Sequence, residues 1–74
     1  MNIQTIRNNI KNSKGQKLNF KFNGPRNQIE EFTGVIENTY NYIFLVKLDS
    51  EEEQLRSFSY TDVLTESLEI FGDK

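Results

Sequence analysis

The stretch SFSYTDVLTESLEIF, from Ser57 to Phe71, determines how the fold is interpreted. Leu55 to Tyr60 and Thr65 to Phe71 have the patterning of β-strands. Between them, the residues from Tyr60 to Leu64 are enough for one tight helical turn, with Asp62 placed to cap it. The sequence therefore predicts a strand, a single helical turn and a final strand at the end of the chain.

Three further segments have the pattern of strands. Leu18, Phe20 and Phe22 alternate with polar residues, which predicts a strand with one apolar and one positive face. Ile29 to Tyr40 is long for a straight strand, and the interruption of its alternation near Gly34 predicts a bulge or sharp bend there. Tyr42 to Leu48 is almost continuously apolar, so we expect a central strand that is buried on both faces.

The first residues of the chain predict a short amphipathic helix. Ile3, Ile6 and Ile10 fall on one helical stripe, Asn2 can cap the first turn, and Gly15 is a natural stop. Several asparagines within it are poor helix formers, and a helix of this length is marginal in isolation. The helix is therefore expected to form only when its isoleucine stripe docks on the rest of the protein.

Together these elements predict a mainly β fold, a five-stranded SH3-like (Sm-like) small barrel with an N-terminal α-helix. The whole chain, residues 1–74, is interpreted as a single domain, with the helix at 1–14 and the barrel at 16–72. Curling the sheet towards closure also hides the edges of so few strands. An OB-type barrel is the rival fold, but the connection from Asp49 to Gln54 is too short for the helix that such a barrel usually carries there.

The composition argues against an enzyme and against a membrane span. The chain has no cysteine and no histidine, so it lacks the commonest metal ligands and the commonest general base. Its longest apolar run, Tyr42 to Val46, is far too short to cross a membrane, and the N-terminus lacks the apolar stretch of a signal peptide. We expect a cytoplasmic, non-enzymatic protein without a cofactor or metal.

Charge is divided unevenly along the chain. Residues 1–29 carry six basic residues and no acidic one, whereas residues 30–74 carry eleven acidic residues and three basic ones. This asymmetry indicates a surface that can meet a polyanion at one end. The candidate residues for contact with nucleic acid or a partner are the cations of the N-terminal third and two tyrosines: Arg7, Lys11, Lys14, Lys17, Lys21, Arg26, Tyr40 and Tyr42.

Each of these signals also has a purely structural interpretation. Lysines commonly occupy solvated faces, and the positive segment can simply complement the acidic half of the same fold. The phenylalanines are needed for the core of so small a domain, whereas Tyr40 and Tyr42 are as well placed to stack on a base as to be buried. The acidic run at residues 49–53 is best explained as a solvated hairpin tip, because it lacks the ligand spacing of a calcium loop.

The chain resembles the Veg proteins of Gram-positive bacteria over nearly its whole length. The similarity rests on segments in the family's order and spacing: Gly15–Lys17, Asn23–Arg26, Gly34–Tyr40, Phe44–Asp49, Ser57–Glu66 and Leu68–Ile70. The resemblance implies a small cytoplasmic protein with an SH3-like barrel that is not an enzyme and is linked to gene regulation and biofilm formation. The chain departs from the family at Pro25–Gln28, where a basic cluster is reduced to one charge.

Three binding mechanisms follow from these features. In the first, the protein regulates transcription by contact with a protein, through a barrel edge strand, the helix stripe or the acidic half engaging a basic regulator. In the second, the basic helix and the first strand bind RNA or DNA. In the third, copies of the chain associate, for example as a homodimer. The first is preferred, because the positive track is modest and the net charge of −2 opposes nonspecific binding to a polyanion.

Overall fold

The computed structural model describes residues 2–49 and 52–72, and these form two helices and five antiparallel strands. The elements, in chain order, are α1 (Ile3–Asn12), β1 (Lys17–Asn23), a 3-10 turn (Pro25–Asn27), β2 (Ile29–Thr39), β3 (Ile43–Leu48), β4 (Leu55–Ser59), α2 (Tyr60–Leu64) and β5 (Leu68–Gly72). The prediction of a mainly β fold with five strands and an N-terminal helix is confirmed. Within the described ranges, no helix is long and apolar enough to cross a membrane.

The five strands form one strongly curled sheet in the order β4-β3-β2-β1-β5. Phe22 on β1 and Phe58 on β4 have ring centroids 5.7 Å apart, although two strands lie between them in the sheet. In a flat sheet these strands would lie roughly 14 Å apart. The sheet therefore curls around its aromatic side chains, which share the core with buried isoleucine, leucine and valine side chains.

The predicted barrel does not close. The two edge strands β4 and β5 form no pairing with each other in the part of the chain that the structure describes. Beside β5, the core is covered by helices: Ile6 and Ile10 of α1 and Val63 of α2 pack into the cluster that includes Leu68 of β5. Packing of helices thus replaces the strand pairing that would complete a barrel, and both sheet edges stay open.

The docking of the N-terminal helix is confirmed. Ile6 and Ile10 are only 2% and 4% exposed, and they join the core of Phe20, Phe44 and Val46. The Asn2 side chain accepts a hydrogen bond from the backbone amide of Thr5 at 2.9 Å, as the predicted N-cap should. Gly15 follows the helix with φ of 87°, the left-handed conformation that glycine tolerates best. The isoleucine stripe therefore fixes α1 on the curled sheet.

The helical turn before the last strand is also confirmed, but its N-cap is Ser59, and Asp62 is the third helical residue in a complete capping box. The Asp62 amide donates to the Ser59 hydroxyl at 3.1 Å, and the Ser59 amide donates to the Asp62 carboxylate at 3.2 Å. The last strand begins later than predicted, at Leu68 instead of Thr65. Thr65 ends the helix and Glu66 has a positive φ of 63°, so the chain turns here before it becomes extended.

The structure corrects two predictions about the middle strands: the position of the bulge in β2 and the burial of β3 on both faces. The β-bulge lies between Ile36 and Asn38, not at Gly34, which pairs regularly with Leu18 and Leu48. In β3, Phe44 and Val46 are buried but Ile43 is 40% exposed, so this strand is buried on one face only. The reason is that the sheet encloses a single core on its concave side and has no second layer on its outer face.

Candidate functional site

One candidate surface, here called the basic face, lies where α1 meets the turn between β2 and β3. Arg7 and Lys11 are four residues apart on α1 and therefore project from the same side of the helix. With Tyr40 and Asn41 they line a polar recess of about 330 Å³. Gln4, Asn8, Thr39 and Tyr60 complete the lining, which contains no acidic side chain. The arrangement suits an anionic group.

Hydrogen bonds fix the geometry of the basic face. The Tyr60 hydroxyl donates to the backbone oxygen of Tyr40 at 2.7 Å, and the Arg7 guanidinium carbon lies 5.9 Å from the centre of the Tyr60 ring. Asn38 donates from its amide nitrogen to the Tyr40 hydroxyl at 3.2 Å and accepts from the Lys14 ammonium at 3.5 Å. Arg7, Lys11, Lys14 and Tyr40 are thus brought together from distant parts of the sequence.

The other candidate cations do not extend this face. The Lys17 ammonium is paired with the Asp49 carboxylate at 2.9 Å. Lys21 stands directly opposite Glu31 on β2 and Glu69 on β5, so carboxylates flank it on both neighbouring strands. Arg26 is exposed at the turn between β1 and β2, where its φ is 59°. The sequence predicted a positive track from α1 along β1. In the structure, carboxylates beside Lys17 and Lys21 interrupt this track.

The two candidate tyrosines are both at the surface. Tyr40 is 49% exposed and Tyr42 is 83% exposed, with Ile43 beside it at 40%. Tyr40 is held at the rim of the basic face by its hydrogen bond from Asn38, whereas Tyr42 projects further into solvent. Both rings are available to stack on a planar group, and Tyr40 alone of the two lines the recess.

A second surface, here called the β5 groove, lies between α1 and the last strand. It has a volume of about 650 Å³, and its apolar lining residues include Ile10, Leu18, Leu64, Leu68, Ile70 and Phe71. Leu64 and Phe71 are 42% and 49% exposed. The charged side chains among the described lining residues are both acidic, Glu66 and Glu69. The groove therefore offers apolar area with negative charge beside it.

Sequence reasoning missed this groove, because it assigned Phe71 to the core with the other phenylalanines. Phe20, Phe44 and Phe58 are indeed buried, and Phe22 and Phe32 pack against them. Phe71 differs because it follows Glu69 by two positions on β5 and thus shares the outer face of the sheet with it. The sequence did contain a signal for this. Ile70 lies on the concave side with Phe20, and its neighbour Phe71 must therefore point to the opposite face of the strand.

Comparison with known proteins gives one result on the family. The family model described as biofilm formation stimulator VEG matches residues 1–71 of the 74-residue chain. A search of curated proteins with this chain finds no match. The family match spans both helices and the five strands, and it includes every residue of the two surfaces described above except Gly72. The chain therefore belongs to the VEG family of biofilm formation stimulators.

Proposed function

We propose that this protein is a non-enzymatic, cytoplasmic regulator that stimulates biofilm formation by contact with a protein partner, acting on transcription. Membership of the VEG family supports the link to biofilm formation. The observation that carries the mechanism is the β5 groove, which leaves Leu64 and Phe71 about half exposed in a domain of only 74 residues. Isolated exposed apolar side chains are common, whereas contiguous apolar patches mark interaction sites, and Leu64 and Phe71 both line one apolar groove.

The distribution of charge also favours a protein partner over a polyanion. Lys17, Lys47 and Arg56 are each within 4 Å of a carboxylate, and Lys21 lies between two acidic neighbours. Much of the positive charge in the sequence is therefore balanced within the fold. What remains distinctive is the apolar β5 groove, which is bordered by Glu66 and by Glu69, the latter also opposite Lys21. Such a surface matches an apolar partner surface that carries basic residues.

Replacing both exposed groove residues, Leu64→Ser with Phe71→Ser, should abolish the stimulation of biofilm formation. The measurement is biofilm mass in a strain lacking its own copy and supplied with the variant. The matched control is Ile29→Ser with Leu55→Ser, because these residues are similarly exposed, at 56% and 57%, and do not line the groove. Melting temperatures of both purified variants verify that each is folded. A groove variant as active as the control would contradict the proposal.

Direct binding of single-stranded RNA or DNA is the second candidate function, and the basic face favours it. Arg7, Lys11 and Lys14 make no ion pair with any described carboxylate, and Tyr40 lies beside them. Cations that follow a backbone next to an exposed aromatic ring are the usual arrangement for binding single strands. Three cations can contact only a few phosphate groups, which predicts a modest affinity for nucleic acid.

If the basic face binds single-stranded nucleic acid, affinity should fall about 20-fold between roughly 50 and 200 mM salt, as three phosphate contacts imply. Changing Arg7, Lys11 and Lys14 together to Glu should remove binding, measured by fluorescence anisotropy with labelled RNA. The control changes Lys21, Arg26 and Lys47 to Glu and has the same net charge, so it separates a local site from a general charge effect. Equal loss in the two variants, or no binding at low salt, would exclude this function.

A further inference from the structure

The free edge of β5 carries unpaired backbone groups that face away from β1. The Asn23 amide donates to the Ser67 oxygen at 2.7 Å, which continues the register in which Phe22 pairs with Leu68. Bonded and non-bonded pairs alternate along antiparallel strands. Glu69 and Phe71 therefore bond to β1, whereas the amides and carbonyls of the intervening residues point outward.

The outward groups belong to Leu68, Ile70 and Gly72, and no described residue hydrogen-bonds to them. A strand edge with three successive donor and acceptor pairs is a template for another extended chain. Natural proteins usually blunt such an edge with lysine, proline or a bulge. Within its described residues, β5 has none of these devices on this edge.

The β5 groove runs along this same edge. All residues of β5 line it, and its opposite wall is formed by Ile6, Asn9 and Ile10 of α1 and by Ser13, the C-cap of that helix. Five residues of an added strand would extend about 17 Å, the length of β5 itself. A chain placed here would bond to the edge with its backbone and lay alternate side chains on the apolar lining.

The charge of the groove indicates which chain fits. Its described charged residues are Glu66 and Glu69, and its other polar residues, such as Asn9 and Gln16, are neutral. A segment with alternating apolar residues and flanking Lys or Arg is therefore complementary. A second copy fits poorly: β1 has such a pattern but is paired on both sides, and two β5 strands would bring acidic residues together.

We propose that a protein partner binds by adding an extended apolar segment with basic flanks as a sixth strand along β5, in the groove between β5 and α1. This inference rests on the proposed function and specifies how the partner is held. Backbone hydrogen bonds supply part of the affinity, and the pockets for alternate side chains, with Glu66 and Glu69, supply selectivity. Strand addition also explains why the edge and the groove occur together.

The test uses the ¹⁵N-labelled full chain and the synthetic peptide acetyl-KVTVTVK-amide. Binding should shift the amide resonances of Leu68, Ile70 and Gly72 and slow their hydrogen exchange. The same peptide with glutamate ends should bind at least tenfold more weakly, because it places carboxylates beside Glu66 and Glu69. A titration in which none of these amides is affected would overturn the proposal.

Two N-methylated peptides separate strand pairing from simple apolar contact. One carries methyl groups on the amides of the valines and the other on those of the threonines, so each loses the donors of one strand edge. An added strand uses a single edge, and therefore one methylated peptide should bind and the other should not. Equal binding by both would show that the groove takes apolar side chains without pairing, which contradicts strand addition.

Substitutions at Gly72 test the same strand pairing from the side of the protein. A Cβ at Gly72 has no atom within 4 Å, so Gly72→Ala should bind the peptide like the wild type. Gly72→Pro removes one outward donor and should weaken binding by about fivefold, the effect of one hydrogen bond. Equal affinities for the two variants would count against pairing at this position.

The same variants distinguish failure of this inference from failure of the proposed function. If the Leu64 and Phe71 double variant loses biofilm stimulation while Gly72→Pro binds the peptide as tightly as Gly72→Ala, contact at the groove stands and strand addition is overturned. If the double variant is fully active, the proposed function itself fails. A dimer detected by light scattering and weakened by Gly72→Pro would instead identify a second copy as the occupant, and would overturn the partner proposed here.

Discussion

Ile6→Asp should lower the melting temperature by about 15 °C or more, or abolish cooperative unfolding altogether. Ile6 is 2% exposed and packs in the central cluster, so the variant loses apolar contacts and places a carboxylate among buried apolar side chains. The expected loss in the free energy of unfolding exceeds about 4 kcal/mol, a large part of the total for a small domain. Thermal unfolding followed by circular dichroism measures it.

The matched control is Gln4→Asp, which introduces the same side chain two positions earlier on α1. Gln4 is exposed and lies in the first helical turn, where a negative charge is favourable. Its melting temperature should therefore stay close to that of the wild type. If Ile6→Asp melted at the same temperature as this control, α1 would not be docked in solution. In that case neither the basic face nor the β5 groove would exist as described, because α1 supplies one wall of each.

The local features of the fold were readable from the sequence, because each depends on residues close together in the chain. The isoleucine spacing of α1, the cap at Asn2 and the turn at Tyr60–Leu64 were all predicted and are present. Helical and strand periodicities report which side of an element is apolar, and capping depends on the next few residues. The open barrel could not be predicted in this way, because it depends on contacts between distant parts of the chain. These contacts decide whether helices or strand pairing cover the core beside β5.

In the candidate sites, too, local features were predictable from the sequence and long-range contacts were not. The charge on Arg7, Lys11 and Lys14 was visible as a helical stripe, and Tyr40 joins it only through the fold. The pairing of Lys17 with Asp49 and the carboxylates opposite Lys21 depend on strand register, which the charge pattern alone does not specify. The sequence therefore predicted more continuous positive charge than the folded surface presents.

Arg56 shows how a residue with no sequence signal can acquire a structural role. Its guanidinium lies 5.1–5.6 Å from the ring centres of Phe22, Phe32 and Phe58, and it donates to the Glu30 carboxylate at 2.7 Å. These rings come from β1, β2 and β4, and they meet only because the sheet curls. An arginine on an edge strand gives no indication of this contact until the curl is known, and the chain patterning does not specify the degree of curl.

Gly34→Ala should have the second largest effect, a fall in melting temperature of about 10 °C. A Cβ at this position would lie 2.7 Å from the Lys47 carbonyl oxygen and 2.9 Å from a methyl carbon of Val46. Val46 is completely buried, and the Lys47 backbone belongs to β3, which is paired on both sides. Neither neighbour can move aside, so β2 and β3 must separate locally, at a cost of about 2 kcal/mol.

Gly72→Ala is the internal standard for this prediction. Both changes reduce the conformational freedom of the unfolded chain in the same way, and the Cβ at Gly72 meets nothing within 4 Å. The difference between the two melting temperatures therefore isolates the contact between β2 and β3. A drop confined to Gly34→Ala means that this glycine is required for the close approach of the two strands. Equal melting temperatures would mean that β2 and β3 lie further apart at Gly34 in solution.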